Sequence, residues 1–329
     1  MAILYPTRLS LAQLPTPFHP LDNLSAEFKG QRIWIKRDDL TGAATSGNKI
    51  RKLEFVLAQA RAEGCDRIIT CGGLQSNHCR TTAILCSQLG LKCHLILRGL
   101  PEGIAEGNLF LDQLVGADIS YHTLDDYQRN LSVLFNEYKE KYQSVGQKVF
   151  TVPTGASDEI GVWGYVRAVE ELKSDFANTQ IQPEYIVCAT GSGGTQAGLT
   201  AGVVVHNVDS QVWGMAVCDS EVYFKNKVRQ DIRQWQARYQ VDLSLDDLKI
   251  HVNQNYIGPG YAKATTEVYQ TIKHVARKEG IILDPVYSGK AFYGMLEEMK
   301  AGCFSDAKNI VFVHTGGIFG LFPYRNELA

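Results

Sequence analysis

Lys49 sits in the stretch TSGNKIRKLEF, residues 45–55, at what reads as the start of a helix. Thr45 and Ser46 are capping types, Gly47 relaxes the backbone, and Ile50, Leu53, Val56 and Leu57 follow at helical spacing. The first turn is the positive end of the helix dipole, so electrostatics would place an anion there rather than a lysine. A lysine held in a positive site gives up its proton more readily, and the free amine can condense with a carbonyl. A complement to this amine lies far along the chain. In GSGGTQAG (191–198), Gly191, Gly193 and Gly194 let backbone amides approach a ligand, while Ser192 and Thr195 add hydroxyls. The helix that follows offers free N–H groups and a positive dipole end, which is the physics of a phosphate cup. No Gly-Lys-Ser/Thr follows, and the glycines miss the G-x-G-x-x-G spacing, which argues against a Walker loop and a dinucleotide site. A covalent amine anchor plus a separate phosphate cup is what pyridoxal 5′-phosphate requires.

These groups need a scaffold. Apolar runs at 67–70, 92–99, 148–153, 184–190 and 309–315 read as buried strands. Amphipathic segments at 49–63, 76–89, 104–115, 157–175, 195–205 and 288–301 lie between them, and acid-rich 124–143 reads as a solvated helix. Such alternation implies α/β architecture with a mostly parallel sheet covered on both faces. One such sheet would be large for this length, so the expected layout is two open, mostly parallel α/β units sharing one cleft. Ligands bind beyond the carboxyl ends of the strands in sheets of this kind. There the sequence places CGGLQSNHCR (71–80), GSGGTQAG and HTGGIFG (314–320), three glycine loops that also carry hydroxyl or amide side chains.

The bulk properties exclude several classes. With 329 residues, 45 % hydrophobic and 21 % charged, the chain is an ordinary globular sequence of about two domains. A net charge of −2 without a basic run argues against nucleic-acid binding. No stretch approaches the roughly 18 to 20 apolar residues of a membrane span. Pro6, Pro15, Pro17 and Pro20 break the N-terminal region as a signal peptide, so a cytoplasmic protein is expected. The cysteines form no C-x-x-C pair and the histidines no H-x-x-x-H pair, so no metal is expected and the thiols read as small apolar fillers.

SGNKIRKLEF, GGLQSNHCR, GSGGTQAGL and DPVYSGKA, taken together and in this order, resemble the D-cysteine desulfhydrase and 1-aminocyclopropane-1-carboxylate deaminase family. These are pyridoxal-phosphate enzymes of the tryptophan-synthase β class, fold type II, and the match runs from about residue 10 onward. The resemblance implies two domains with the cofactor between them: a larger, discontinuous one of residues 1–49 and 159–329, and a smaller, mobile one of residues 50–158. It implies that Lys49 is the Schiff-base lysine and the acid/base at the substrate Cα. Asn77 then bonds the cofactor's 3′-oxygen, and Ser76 either touches the substrate carboxylate or acts as an acid/base group. Residues 191–195 hold the phosphate, while Tyr261 (GPGYAKA) and Tyr287 (DPVYSGK) face the substrate. Gly155 and Ser157 border the cofactor, with a capping role for Ser157 as the alternative. A homodimer and an amino-acid substrate follow from the same kinship.

One position departs from the deaminase branch, which carries a glutamate after the DPVY tyrosine; here that residue is Ser288. A carboxylate enforces a charged pyridinium and a strong electron sink, whereas a hydroxyl does not. Ser288 and Thr315 are both candidates to face the ring nitrogen. Opening a cyclopropane is the harder electronic task, so the serine favours α,β-elimination of D-cysteine to pyruvate, hydrogen sulfide and ammonia. The D preference rests on kinship alone. Cyclopropane deamination and L-cysteate sulfo-lyase activity stay open, although no basic residue stands out in the sequence to read a sulfonate. A Rossmann protein and a non-catalytic holder of pyridoxal phosphate are the readings from outside the family.

Overall fold

The structure, a computed structural model, describes residues 3–329. Its strands are β1 (Phe18–Pro20), β2 (Arg32–Lys36), β3 (Arg67–Gly73), β4 (Lys92–Arg98), β5 (Asp118–His122), β6 (Val149–Thr151), β7 (Tyr185–Thr190), β8 (Gln211–Ala216), β9 (His251–Asn253) and β10 (Asn309–Val313). They form a six-stranded sheet, β1-β2-β10-β7-β8-β9, and a four-stranded sheet, β5-β4-β3-β6. Every pairing is parallel except that of the edge strand β1 with β2. The expected pair of mostly parallel α/β sheets is what the chain forms.

Burial explains the strands that the sequence shows clearly. All residues of β3 and of β7 are buried, because helices cover both faces of a parallel sheet, so both faces must be apolar. Strands β5, β8 and β9 are short or mixed in polarity and give no such run. The helix Glu221–Tyr239 is polar overall, yet it buries Phe224, Val228, Ile232 and Trp235 along one stripe. The expected solvated helix is Leu124–Gln143, and it too buries a face, through Tyr127, Leu134 and Tyr142. The segment expected as a helix from 157 begins only at Val162, because Asp158 Oδ1 accepts from the N–H groups of Ile160 and Gly161 (3.1 and 2.7 Å) and turns the chain first.

Two features aim the site. The helix Gly194–Val205 lies directly on the helix Val162–Thr179, since a Cβ at Gly202 would stand 2.6 Å from Val169 Cγ2 and one at Gly198 would collide with Tyr165. A buried ionic knot fixes the helix Lys49–Ala62 behind its first residue. Arg51 reaches Asp38 at 2.7 and 2.8 Å and Glu171 at 3.0 and 3.1 Å, while Lys36 reaches Glu171 and Asp175 at 2.6 Å each. Burial alone would raise the Glu171 carboxyl, but Arg51 and Lys36 outweigh it and hold the group at about 2.

Among the described residues no helix is long and apolar enough to cross a membrane, and no group of three or more His, Cys, Asp or Glu side chains is placed to hold a metal ion. Six of the free cysteines are buried as fillers; Cys303 is exposed, and Cys218 lines the cavity described next.

Candidate active site

A cavity of about 530 Å³ opens where the carboxyl ends of the two sheets face each other. All three glycine loops reach it. Asn48 joins two of them to the lysine: its N–H donates to the carbonyl of Thr315 (3.1 Å) and its Nδ2 to Thr195 Oγ1 (2.9 Å). Gly47, at φ +113°, makes this approach possible, since a Cβ there would meet the Thr315 carbonyl at 2.8 Å. Lys49 is therefore the first residue of its helix and points its amine into the cavity. Burial in the protein body lowers its pKa to about 8.

The anion cradle is built around Ser157. Its Oγ accepts from the N–H of Gly194 (3.1 Å) and from Lys52 Nζ (3.3 Å), and it bonds Ser192 Oγ at 2.8 Å. Gly191, Ser192, Gly193 and Thr195 line the cavity; Gly194 stands behind them with its N–H donated to Ser157 Oγ. Lys52 is fully buried, and among the described residues no carboxylate lies within salt-bridge distance of it. Burial, and then the neighbouring charge of Lys49, push its pKa well below the ordinary lysine value. A buried lysine with no carboxylate partner, behind the Ser157–Ser192 hydroxyl pair at a helix N-terminus, fits a phosphate, which would supply the missing charge partner. Sequence reading missed Lys52, although its place three residues after Lys49 puts both on one helix face.

The opposite wall holds the groups suited to a substrate. Ser76 caps the helix Asn77–Gln88, its Oγ accepting from the Cys79 N–H at 3.2 Å, so its own hydrogen is free to donate into the cavity. Asn77 lines the cavity beside it. His78 also lines it, with Nε2 at 2.7 Å from Thr70 Oγ1, and burial keeps this imidazole neutral by pushing its pKa well down. The hydroxyls of Tyr261 and Tyr287 bond to each other, and burial raises both phenols. Lys290 donates to the carbonyls of Ile257 and Gly260, at 2.7 Å each, and so fixes the loop that presents Tyr261. Arg98, which the sequence did not flag, enters from the end of β4.

Ser288 does not join this group. It is fully buried outside the lining, with its Oγ donated to Asp284 Oδ1 at 2.7 Å and accepting from the Asp284 N–H at 2.8 Å. Thr315, at the end of β10, lines the cavity instead. Of the two hydroxyls offered for a ring nitrogen, that of Thr315 is the one that lines the cavity.

A lysine of lowered pKa opposite a glycine-and-hydroxyl anion cradle, between two parallel sheets, defines a pyridoxal-phosphate enzyme of the tryptophan-synthase β fold class. The model of the pyridoxal-phosphate-dependent enzyme family matches residues 9–316, and the chain belongs to that family. A Thermotoga maritima protein, provisionally named a 1-aminocyclopropane-1-carboxylate deaminase, is 42 % identical, with 98 % of this chain and all of that protein covered. The Arabidopsis thaliana bifunctional D-cysteine desulfhydrase/1-aminocyclopropane-1-carboxylate deaminase is 40 % identical over 97 % of this chain and 80 % of its own. The D-cysteine desulfhydrase of Yersinia pestis is 36 % identical over 98 % and 97 %. Among solved structures, that of a deaminase homologue superposes with a TM-score of 0.89 at 38 % identity, covering 98 % of this chain and 95 % of that one.

Proposed function

We propose that this enzyme carries out α,β-elimination of D-cysteine, releasing hydrogen sulfide, pyruvate and ammonia. The observation that carries the reading is Thr315: a hydroxyl, not a carboxylate, is the side chain that lines the cavity at the end of β10. The one carboxylate in the lining, Asp219, is exposed beside Cys218 and Tyr223. A neutral partner for the ring nitrogen suits loss of a tolerable leaving group from Cβ better than cleavage of an unactivated cyclopropane carbon–carbon bond. Supporting this are the 36 % and 40 % identical relatives named for D-cysteine desulfhydrase activity.

When bound, pyridoxal 5′-phosphate supplies the electron sink that makes the Cα hydrogen acidic. The chain's own residues divide the remaining work. Lys49, with a pKa of about 8, is poised to hold the cofactor and then to take the Cα proton near neutral pH. Ser76 and the N-terminus of the helix Asn77–Gln88 receive the α-carboxylate. Ser157, Ser192 and Thr195, which line the cavity, hold the phosphate, with Lys52 behind Ser157 as the charge that balances it. Tyr261 and Tyr287, bonded together, are placed to pass a proton to the departing sulfur. Aminoacrylate then leaves the site and takes up water to give pyruvate and ammonia. A homodimer, and a segment 50–158 that closes on substrate, belong to the same proposal.

The test is a product assay on the holoenzyme with D-cysteine, L-cysteine, L-cysteate and 1-aminocyclopropane-1-carboxylate. Sulfide and pyruvate from D-cysteine support elimination. If 2-oxobutyrate from the cyclopropane substrate is the sole product, the proposal is wrong. The 42 % identical Thermotoga relative bears a name for that activity, which makes it the second reading.

A further inference from the structure

Three cationic side chains line the cavity, and two have visible employment. Lys49 is the group for a carbonyl, and Lys227 is paired with Asp231 and donates to the carbonyl of Ser157. Arg98 has neither kind of partner. Among the described residues no carboxylate lies within salt-bridge distance of it, and its guanidinium is held by rings instead, 4.2 Å from the centroid of Tyr261 and 5.8 Å from that of Tyr127. Stacking fixes the plane of the fork, and apart from the Tyr261 hydroxyl its N–H groups meet no carboxylate or carbonyl among the described residues. The position is defined further by Gly73, where a Cβ would stand 3.6 Å from both Arg98 Nε and Tyr261 Cε1. Arg98 thus meets Tyr261 directly beside the turn that leads from β3 to Ser76. A partly buried, unpaired guanidinium in a cavity is costly unless something anionic completes it.

From this arrangement we propose that Arg98 binds an oxyanion on the substrate's β-substituent at the tyrosine end of the cavity and so extends the site's range to amino acids with an acidic β-group such as a sulfonate. The assignment rests on the reading of this cavity as an amino-acid site. A planar guanidinium can grip such a group through two parallel N–H···O bonds. Ser76 and the N-terminus of the helix Asn77–Gln88 are already placed for the α-carboxylate, so the group left for Arg98 is an acidic β-substituent, present in cysteate and absent from cysteine. The bridge also explains why Tyr261 stays in place, since the same ring supports Arg98 and orients toward Tyr287.

The experiment uses holoenzyme, in which the phosphate cradle is filled, and the unreactive anion methanesulfonate as probe. Its dissociation constant is read from the change it causes in the cofactor's visible absorbance, for wild type, Arg98→Gln and Arg98→Lys. Michaelis constants for D-cysteine and L-cysteate are measured alongside. Loss of a charge-assisted pair predicts that Arg98→Gln weakens methanesulfonate by about ten- to a hundredfold, with Arg98→Lys restoring part of the loss. A rise in KM for cysteate alone supports the β-group contact; a matching rise for both amino acids puts Arg98 on the α-carboxylate and overturns the proposal. Unchanged methanesulfonate binding in Arg98→Gln overturns the proposal. If the glutamine variant does not take up cofactor, Arg98→Lys decides alone, because a compact ammonium cannot make the two-pronged contact, and unchanged binding there also overturns it. Should no amino acid be turned over while the anion still binds through Arg98, the elimination reading fails and the anion site stands.

Discussion

Asn108 Nδ2 donates a hydrogen bond to Asn77 Oδ1 at 3.0 Å, deep between the smaller sheet and the cavity. The same nitrogen reaches the carbonyl of Gln75 at 3.0 Å, and Gln75 Oε1 accepts from the Asn108 N–H at 2.9 Å. The consequence is directional. With its carbonyl oxygen occupied by Asn108, the Asn77 amide must turn its NH₂ toward the cavity, where it can donate to an anionic ring oxygen but not accept from one. Asn108 is therefore a positioning residue. Substitution Asn108→Leu, close in volume but unable to donate, should shift the visible absorbance of the holoenzyme in the same direction as Asn77→Ala, by less, and lower kcat about tenfold. An unshifted band in Asn108→Leu would show that the amide needs no such support.

Lys52 yields a prediction with opposite signs for two measurements. Without an anion beside it, this buried amine has only the Ser157 hydroxyl, and burial forces its pKa well down. Replacing it by Met removes a buried amine with a single hydrogen-bond partner at little change in length, so the cofactor-free protein should unfold at the same temperature or a higher one. The affinity for pyridoxal 5′-phosphate should fall by roughly ten- to a hundredfold, while affinity for pyridoxal, which lacks the phosphate, should hardly change. Equal losses for the two aldehydes would place Lys52 away from the phosphate.

How much of this was legible beforehand depends on the kind of signal. Lys49 and the three glycine loops could be read because unusual backbone needs select unusual residues at fixed places, and β3, β7 and β10 because burial on two faces makes continuous apolar runs. The helix Glu221–Tyr239 carries a readable stripe that its polar composition obscured. Ser288 shows the opposite limit. Its type was right for a ring-nitrogen partner, but four residues earlier stands Asp284, whose carboxylate captures the hydroxyl. Residue type indicates what a side chain can donate, not where the donation goes. Arg98 was invisible for a different reason: at the end of a strand it reads as a solvated terminus, and only the fold sets it against Tyr261.

Glu171 predicts how the protein responds to acid. Although burial favours its neutral form, Arg51 and Lys36 hold its folded-state pKa at about 2, below the ordinary value of 4.5. A carboxyl depressed in this way contributes stability that is fully present above the unfolded-state value and is lost as pH falls from there through about 2. The difference corresponds to ~3 kcal/mol. Urea unfolding followed by tryptophan fluorescence should therefore show wild-type stability declining over that range. The Glu171→Gln variant should be less stable at neutral pH, and its decline over the same range should be shallower. Parallel pH curves for the two proteins would exclude a dominant contribution from this carboxylate.

Lys49 gives the sharpest kinetic expectation, because the group that must react is the one whose protonation the fold controls. Burial brings its pKa to about 8, so a usable share of free amine exists near neutral pH, where an ordinary lysine at 10.5 would offer very little. The sign follows from the chemistry: only the deprotonated amine attacks the aldehyde, so below the pKa the rate of cofactor uptake should rise about tenfold per pH unit. It should then level off above pH 8 rather than continuing toward 10.5. The phosphate of the cofactor changes charge near pH ~6, well separated from this window. Stopped-flow absorbance during reconstitution of cofactor-free protein, from about pH 6.5 to 9.5, supplies the profile, with the Lys49→Ala variant as the control that forms no covalent adduct. A rate still climbing at the top of that range would mean that the amine keeps its ordinary basicity, and that the cavity prepares the cofactor site by position alone.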